Sequence, residues 1–292
     1  MLEQHCYHVS GRDVAVIETG NRRSAACSVV LLHGWLDNAA SFTSVMTSMA
    51  HQISPNIHLC AVDLPGHGLS GHKNSDNFYS FHDYIDDVHQ FLVTLSAKKK
   101  ILVGHSLGGL IASCYSAAFP EFVDGLFLIE SIGPLAESAE NSVLRLRNGV
   151  NSRVRIRRKP RRGYDSYDTA LQVRAVHSEL PEALVAPIVE RGIGLQDGQW
   201  MWRADPKLSS QSLYRMSEAH AEAVLAAIQC PFQVVLGSHG YSSLKTYSRA
   251  VLPGQTDIQQ VAGGHHCHLE HPEQVGELLS QFIMKIDETT FS

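Results

Sequence analysis

The stretch from Ile101 to Ala118 constrains the fold more than any other part of the chain. Ile101-Leu102-Val103 reads as a short strand buried on both faces, and a helix-forming run begins at Leu107. Between them stands Gly104-His105-Ser106-Leu107-Gly108, followed by Gly109. So abrupt a turn leaves no room for side chains at 104 and 108, which would collide with the neighbouring strand and helix. Gly-x-Ser-x-Gly in a strand–turn–helix setting is a nucleophile elbow. The serine is held in a strained backbone conformation with its hydroxyl above the sheet edge. The helix from Leu107 aims free N–H groups and its positive dipole end at negative charge developing there. The competing reading is a serine in a glycine-rich loop that binds phosphate or nothing; a P-loop is excluded, since no Gly-Lys-Ser/Thr follows.

Around the elbow, short apolar runs alternate with helical patterns, the signature of βα units and a mainly parallel sheet. Strands are expected at Asp13–Thr19, Val29–Leu32, Ile57–Asp63 and Gly125–Ile129. Phe81, Ile85, Val88, Phe91, Leu92 and Leu95 form a helical stripe. After about residue 133 the pattern changes to helices and loops without an obvious buried strand. Strand-like sequence returns at Phe232–Leu236 and Ile258–Val261, and an amphipathic helix closes the chain from Pro272 to Ile286. The expectation is an α/β core of residues 1–133 and 227–292 with a helical lid (cap) inserted at 134–226.

Several further segments match one family in the expected order. His33-Gly34-Trp35 follows a strand, Asp63-Leu64-Pro65-Gly66-His67-Gly68-Leu69-Ser70 follows the next, and Gly264-His265 precedes Glu270 and Pro272-Glu273. Together with the elbow they resemble the α/β-hydrolase fold family: a mostly parallel central sheet flanked by helices. Trp202-Arg203-Ala204-Asp205-Pro206 and the His-rich stretch from Gly263 to Glu270 look most like the serine hydrolase-like branch. A serine at 106 argues against dehalogenase and epoxide hydrolase chemistry, which uses an aspartate there.

A serine attacking an ester builds negative charge on the carbonyl oxygen, so two preorganised N–H donors are required. The Leu107 amide, just after the nucleophile, supplies one. The resemblance implies that Trp35 supplies the other. A neutral serine needs a histidine to accept its proton. The family's histidine follows a glycine and precedes a glutamate by five positions, which selects His265, with His266 as the alternative. Zinc bound by His265, His266, Cys267 and His268 is a further reading, opposed by the divergent directions of adjacent side chains. Neither metal nor cofactor is expected.

The third member has to fix the imidazole tautomer. Family members commonly carry an aspartate about three residues after the strand ending at Gly237. Here Ser238-His239-Gly240-Tyr241 offers no carboxylate. The family's other location is the end of the strand after the nucleophile helix, where Glu130 stands. Asp257 is a weaker substitute, and Asp63, in a turn before Pro65-Gly66, is read as structural.

Arg145–Arg162 holds nine basic residues and no acidic one. It reads as a solvated lid surface, or as a site meeting an anionic acyl substrate. The net charge of −5 and sparse aromatics disfavour nucleic acid. No apolar run is long enough to span a membrane, no signal peptide is evident, and the six scattered cysteines suit the reducing cytoplasm. Trp200 and Trp202 are expected to pack the lid or line an acyl pocket. Two functions follow: a hydrolase of small or medium carboxylic esters, thioesters or lactones, or a catalytically idle scaffold that binds a small ligand or partner.

Overall fold

The computed structural model describes residues 1–49, 52–245, 252–254 and 256–288. Eight strands form one sheet: β1 (Glu3–Val9), β2 (Arg12–Thr19), β3 (Cys27–Leu32), β4 (Ile57–Val62), β5 (Lys99–His105), β6 (Gly125–Ile129), β9 (Phe232–Gly237) and β10 (Thr256–Val261). Their spatial order is β1-β2-β4-β3-β5-β6-β9-β10. β1 and β2 pair antiparallel, β2 runs antiparallel to β4, and every later pairing is parallel. β1 lies outside the strands that local sequence pattern predicts. Its side chains are largely exposed at the sheet edge, so it carries no apolar run to betray it.

The central strands are buried along their whole length, and their alternate residues feed two separate cores. Val30, Leu32, Cys60, Val62 and Leu102 face one side. There they meet α2 (Asp83–Leu92), α3 (Leu107–Ala118) and α7 (Glu218–Ala226). Val29, Leu31, Leu59, Ala61, Ile101 and Val103 face the other, against α1 (Thr43–Met49) and α8 (Pro272–Glu288). The chain steps from β3 outward to β4, then back across β3 to β5. In open α/β sheets, ligands bind at the C-terminal strand ends beside such a reversal, where loops leaving neighbouring strands diverge.

Between β6 and β9 lie α4 (Ser142–Arg158), α5 (Tyr167–Ser178), α6 (Glu182–Gly192), the strands β7 (Ile193–Gln196) and β8 (Gln199–Trp202), and α7. The β7–β8 hairpin corrects the expectation of helices and loops alone. It stands apart from the main sheet, and its half-exposed strands lack the apolar continuity of a buried strand. Trp200 and Trp202 pack with Tyr164 and Tyr167 around Ala170, Val189 and Ile193, a small core belonging to this segment. Six arginines of the basic stretch lie on α4; Arg153 and Arg157 lie over the Phe78 ring, and Arg145 pairs with Glu137.

Asp63 is structural, as expected of its turn. Its oxygens accept the Ala39 and Leu69 N–H groups, each at 2.7 Å. A partner the sequence does not reveal also reaches it: Arg191 of α6 donates Nε at 3.0 Å to both oxygens. Arg174 of α5 donates Nη2 to one oxygen, Oδ1, of Asp37. Two buried ion pairs therefore fasten the intervening segment to the core.

The turns after β3 and β4 bury His33 and His67 completely, with ring centroids 4.9 Å apart. Burial pushes His33 down to about 4 and, with the neighbouring His33, pushes His67 down to about 3. The unfolded chain takes up protons at these rings from about pH 6.5 downward, whereas the folded chain does not until much lower pH. Stability is therefore expected to fall as pH drops from about 6.5 toward 3. Melting temperatures across that window test this, and His67→Gln should flatten the slope.

Candidate active site

β5 ends at His105, and Ser106 is the hinge between it and α3. Its backbone sits at φ 47°, ψ −116°, a strained region for a residue with a side chain. The glycines around it are obligatory. A Cβ on Gly104 would lie 2.4 Å from the Gly109 backbone, and one on Gly108 would lie 1.9 Å from the Leu32 carbonyl oxygen. These are contacts with backbone, which cannot step aside. Gly108→Ala is expected to destabilise the protein by about 3 kcal/mol or prevent folding; a melting temperature within a few degrees of wild type would contradict this.

Among the described residues, three of the six non-glycine residues with positive φ cluster here: Leu36, Ser106 and Glu130. Strain concentrated at adjacent strand ends is a mark of a working site. The register explains the convergence. His105 pairs with Ile129, and Ile129 with Val235, so Ser106 and Glu130 leave neighbouring strands at the same level.

Glu130 is 2% exposed, and its carboxylate meets only donors. Oε1 accepts the Gly237 N–H at 2.8 Å, and Oε2 accepts the Tyr241 N–H at 3.1 Å. Oε2 also lies 3.2 Å from His265 Nδ1. A carboxylate can only accept, so Nδ1 carries the proton and Nε2 keeps its lone pair. Gly240 completes the arrangement, since a Cβ there would lie 2.0 Å from Glu130 Oε1. The carboxylate from β6 occupies the space an aspartate side chain at 240 would need.

His265, with its side chain 19% exposed, is the histidine brought to Glu130. Its loop is braced by Glu270, whose Oε2 accepts the Gly264 N–H at 2.6 Å, and by the Tyr241 ring, 4.2 Å from the imidazole. His266 turns away from Glu130 toward His105 and His268. Asp257 is exposed and bonds only its neighbour Gln259 among the described residues, so it takes no part.

The loop after β3 runs beside the elbow because Leu32 pairs with Gly104. Gly34 packs so closely that a Cβ would lie 2.8 Å from His105 Nδ1. The Trp35 ring is half exposed and its Nε1 donates to the Leu208 carbonyl at 3.0 Å, tying the loop to the intervening segment. Leu107 is the first residue of α3, so its N–H has no partner within the helix. Leu107 thus follows β5 and Trp35 follows β3, two strands that are parallel neighbours in the sheet.

Residues 28–272 match the alpha/beta hydrolase fold family. A serine hydrolase-like protein of Danio rerio is 26% identical over 267 residues, covering 87% of this chain and 81% of its own. A monoacylglycerol lipase of Xenopus laevis is 25% identical, covering 97% of this chain and 80% of its own. Among solved structures, a hypothetical protein of Pseudomonas aeruginosa superposes with a TM-score of 0.84 at 26% identity, over 96% of this chain and 98% of that one. A thioesterase domain from the curacin biosynthetic pathway gives 0.82 at 21% identity, over 95% and 99%. The chain belongs to the α/β-hydrolase fold family and is similar to its serine hydrolase-like proteins.

Proposed function

We propose that the chain is a serine hydrolase that cleaves a small or medium carboxylic ester, thioester or lactone through an acyl-enzyme on Ser106. One observation carries the reading: a buried carboxylate, held by two backbone amides, faces Nδ1 of the histidine beside the elbow. His265 Nε2 takes the Ser106 proton as Oγ attacks the carbonyl carbon. The Leu107 and Trp35 N–H groups hold the oxyanion. The tetrahedral intermediate collapses, the carbon–oxygen or carbon–sulfur bond breaks, and His265 returns the proton to the leaving group. Water then repeats the sequence on the acyl-enzyme, releasing the acid. Glu130 stabilises the imidazolium in both halves and is never protonated itself. Residues 134–226 act as a lid over the site, fastened by the Arg191–Asp63 and Arg174–Asp37 pairs.

The monoacylglycerol lipase among the relatives supports an acyl ester as substrate. Among the described residues no helix is long and apolar enough to cross a membrane. A fluorophosphonate probe is expected to label the protein within minutes at Ser106, and p-nitrophenyl esters of graded chain length to define the acyl preference. A chain that is folded yet unlabelled and inactive on every ester would instead be an idle binding scaffold.

A further inference from the structure

Behind the candidate triad lies a second cluster of histidines that hydrolysis leaves unused. His105, His266 and His268 each offer a ring nitrogen, and the three nitrogens lie within 4.8 Å of one another. His105 and His268 are fully buried, and their ring centroids are 4.2 Å apart. His105 Nδ1, His266 Nδ1, both nitrogens of His268 and Asp37 Oδ2 are buried without a hydrogen-bond partner. Five orphaned polar atoms in one place are costly unless something fills the gap.

Their chemistry narrows what that is. His105 Nε2 lies 2.9 Å from the His265 carbonyl oxygen, which can only accept. Nε2 is therefore the protonated nitrogen and Nδ1 presents a lone pair. A ring that donates one N–H to a backbone carbonyl and points the other nitrogen into a shared space is set up as a metal ligand. Asp37 Oδ2 stands 3.7 Å from His105 Nδ1, while Arg174 occupies its other oxygen. Gly34 packs against both atoms: a Cβ there would fall 2.8 Å from Nδ1 and 3.1 Å from Oδ2.

We infer that His105, His266 and His268 bind a divalent transition metal of the zinc class, with Asp37 Oδ2 closing the shell. Three corners no more than 4.8 Å apart surround a centre within about 2.8 Å of each, so every ring advances by less than about 1 Å to reach a 2.0–2.1 Å bond. A contrasting group supports the assignment. Glu18, His58 and Cys60 are equally close and buried, but the His58 nitrogens are already committed to Ser28 and Glu18, and Tyr7 donates to Glu18. That group is a satisfied network; the His105 group has lone pairs to give. The proposed ion braces the elbow against the loop bearing His265, and its binding does not depend on the hydrolytic reading.

The full chain, stripped with chelator, is titrated with zinc chloride by calorimetry and, separately, with cobalt(II) by visible absorption. One equivalent should bind at these histidines, with a tetrahedral cobalt spectrum and a raised melting temperature. His266→Gln, at the more accessible edge of the cluster, should weaken binding at least about 100-fold and abolish the spectrum. A crystal of the wild-type chain grown with zinc should give an anomalous peak among the three rings. Ordered water alone in that position, zinc only on exposed histidines such as His8, or affinity unchanged in His266→Gln would each overturn the assignment. The crystal decides the matter even if the variant does not fold.

Discussion

Ser106→Ala should abolish ester turnover while the melting temperature stays within a few degrees of wild type. The substitution removes one oxygen from a half-buried position and keeps the Cβ that the elbow already accommodates at φ 47°. Nothing in either core changes, so stability has little reason to move. Catalysis depends on that oxygen entirely, because no other group at the end of β5 can form the acyl-enzyme. Residual activity from the oxyanion amides and substrate binding alone would lie at least about 10³-fold below wild type. Fluorophosphonate labelling should vanish in parallel. His265→Ala should be as damaging and the double variant little worse, since triad members act as a unit. Turnover at a tenth or more of wild type in the folded alanine variant would remove Ser106 from the mechanism.

Glu130→Gln should lower kcat by roughly 10³- to 10⁴-fold with a shape almost unchanged. All three partners of the carboxylate present N–H groups to it. An amide has one acceptor and one donor end, so its NH₂ must face either the Gly237 amide or the Tyr241 amide and His265. In the second orientation it donates to Nδ1, which places the ring proton on Nε2, where the serine proton has to go. In the first it leaves a buried donor against a donor, at about 1–3 kcal/mol of stability. Gly240→Asp will not rescue this variant, because glutamine fills the same space and a Cβ at 240 would lie 2.0 Å from the native Oε1 position. Rescue requires both changes, Glu130→Gly with Gly240→Asp, so that the carboxylate reaches His265 from β9 instead of β6. Steady-state kinetics of the single variant, followed by the paired one, distinguishes an acid at 130 from a merely structural glutamate. Near-normal kcat in Glu130→Gln would end its role.

Much of this protein is legible in local sequence because its constraints are local. Apolar continuity marks β3, β4 and β6 as buried strands, since a strand covered on both faces has no polar side to show. Gly104 and Gly108 mark the elbow, because backbone contacts at 1.9–2.4 Å admit no other residue. The edge strand β1 and the β7–β8 hairpin escaped notice, because exposed or half-exposed strands owe their place to pairing rather than to burial of their own side chains. Charge partners are likewise beyond reach of local pattern: Arg191 and Asp63 stand far apart in the chain and meet only because α6 settles over the turn after β4. The same holds at the site. Sequence names Ser106, His265 and Glu130 as candidates, but only the register of β5, β6 and β9 brings Glu130 Oε2 to 3.2 Å from His265 Nδ1. Adjacent side chains diverge, which sets His265 apart from His266 and argues against a metal held by the 265–268 stretch alone. Tertiary structure supplies what that argument could not include, a third imidazole from His105, carried on a strand that meets the histidine loop at the sheet edge.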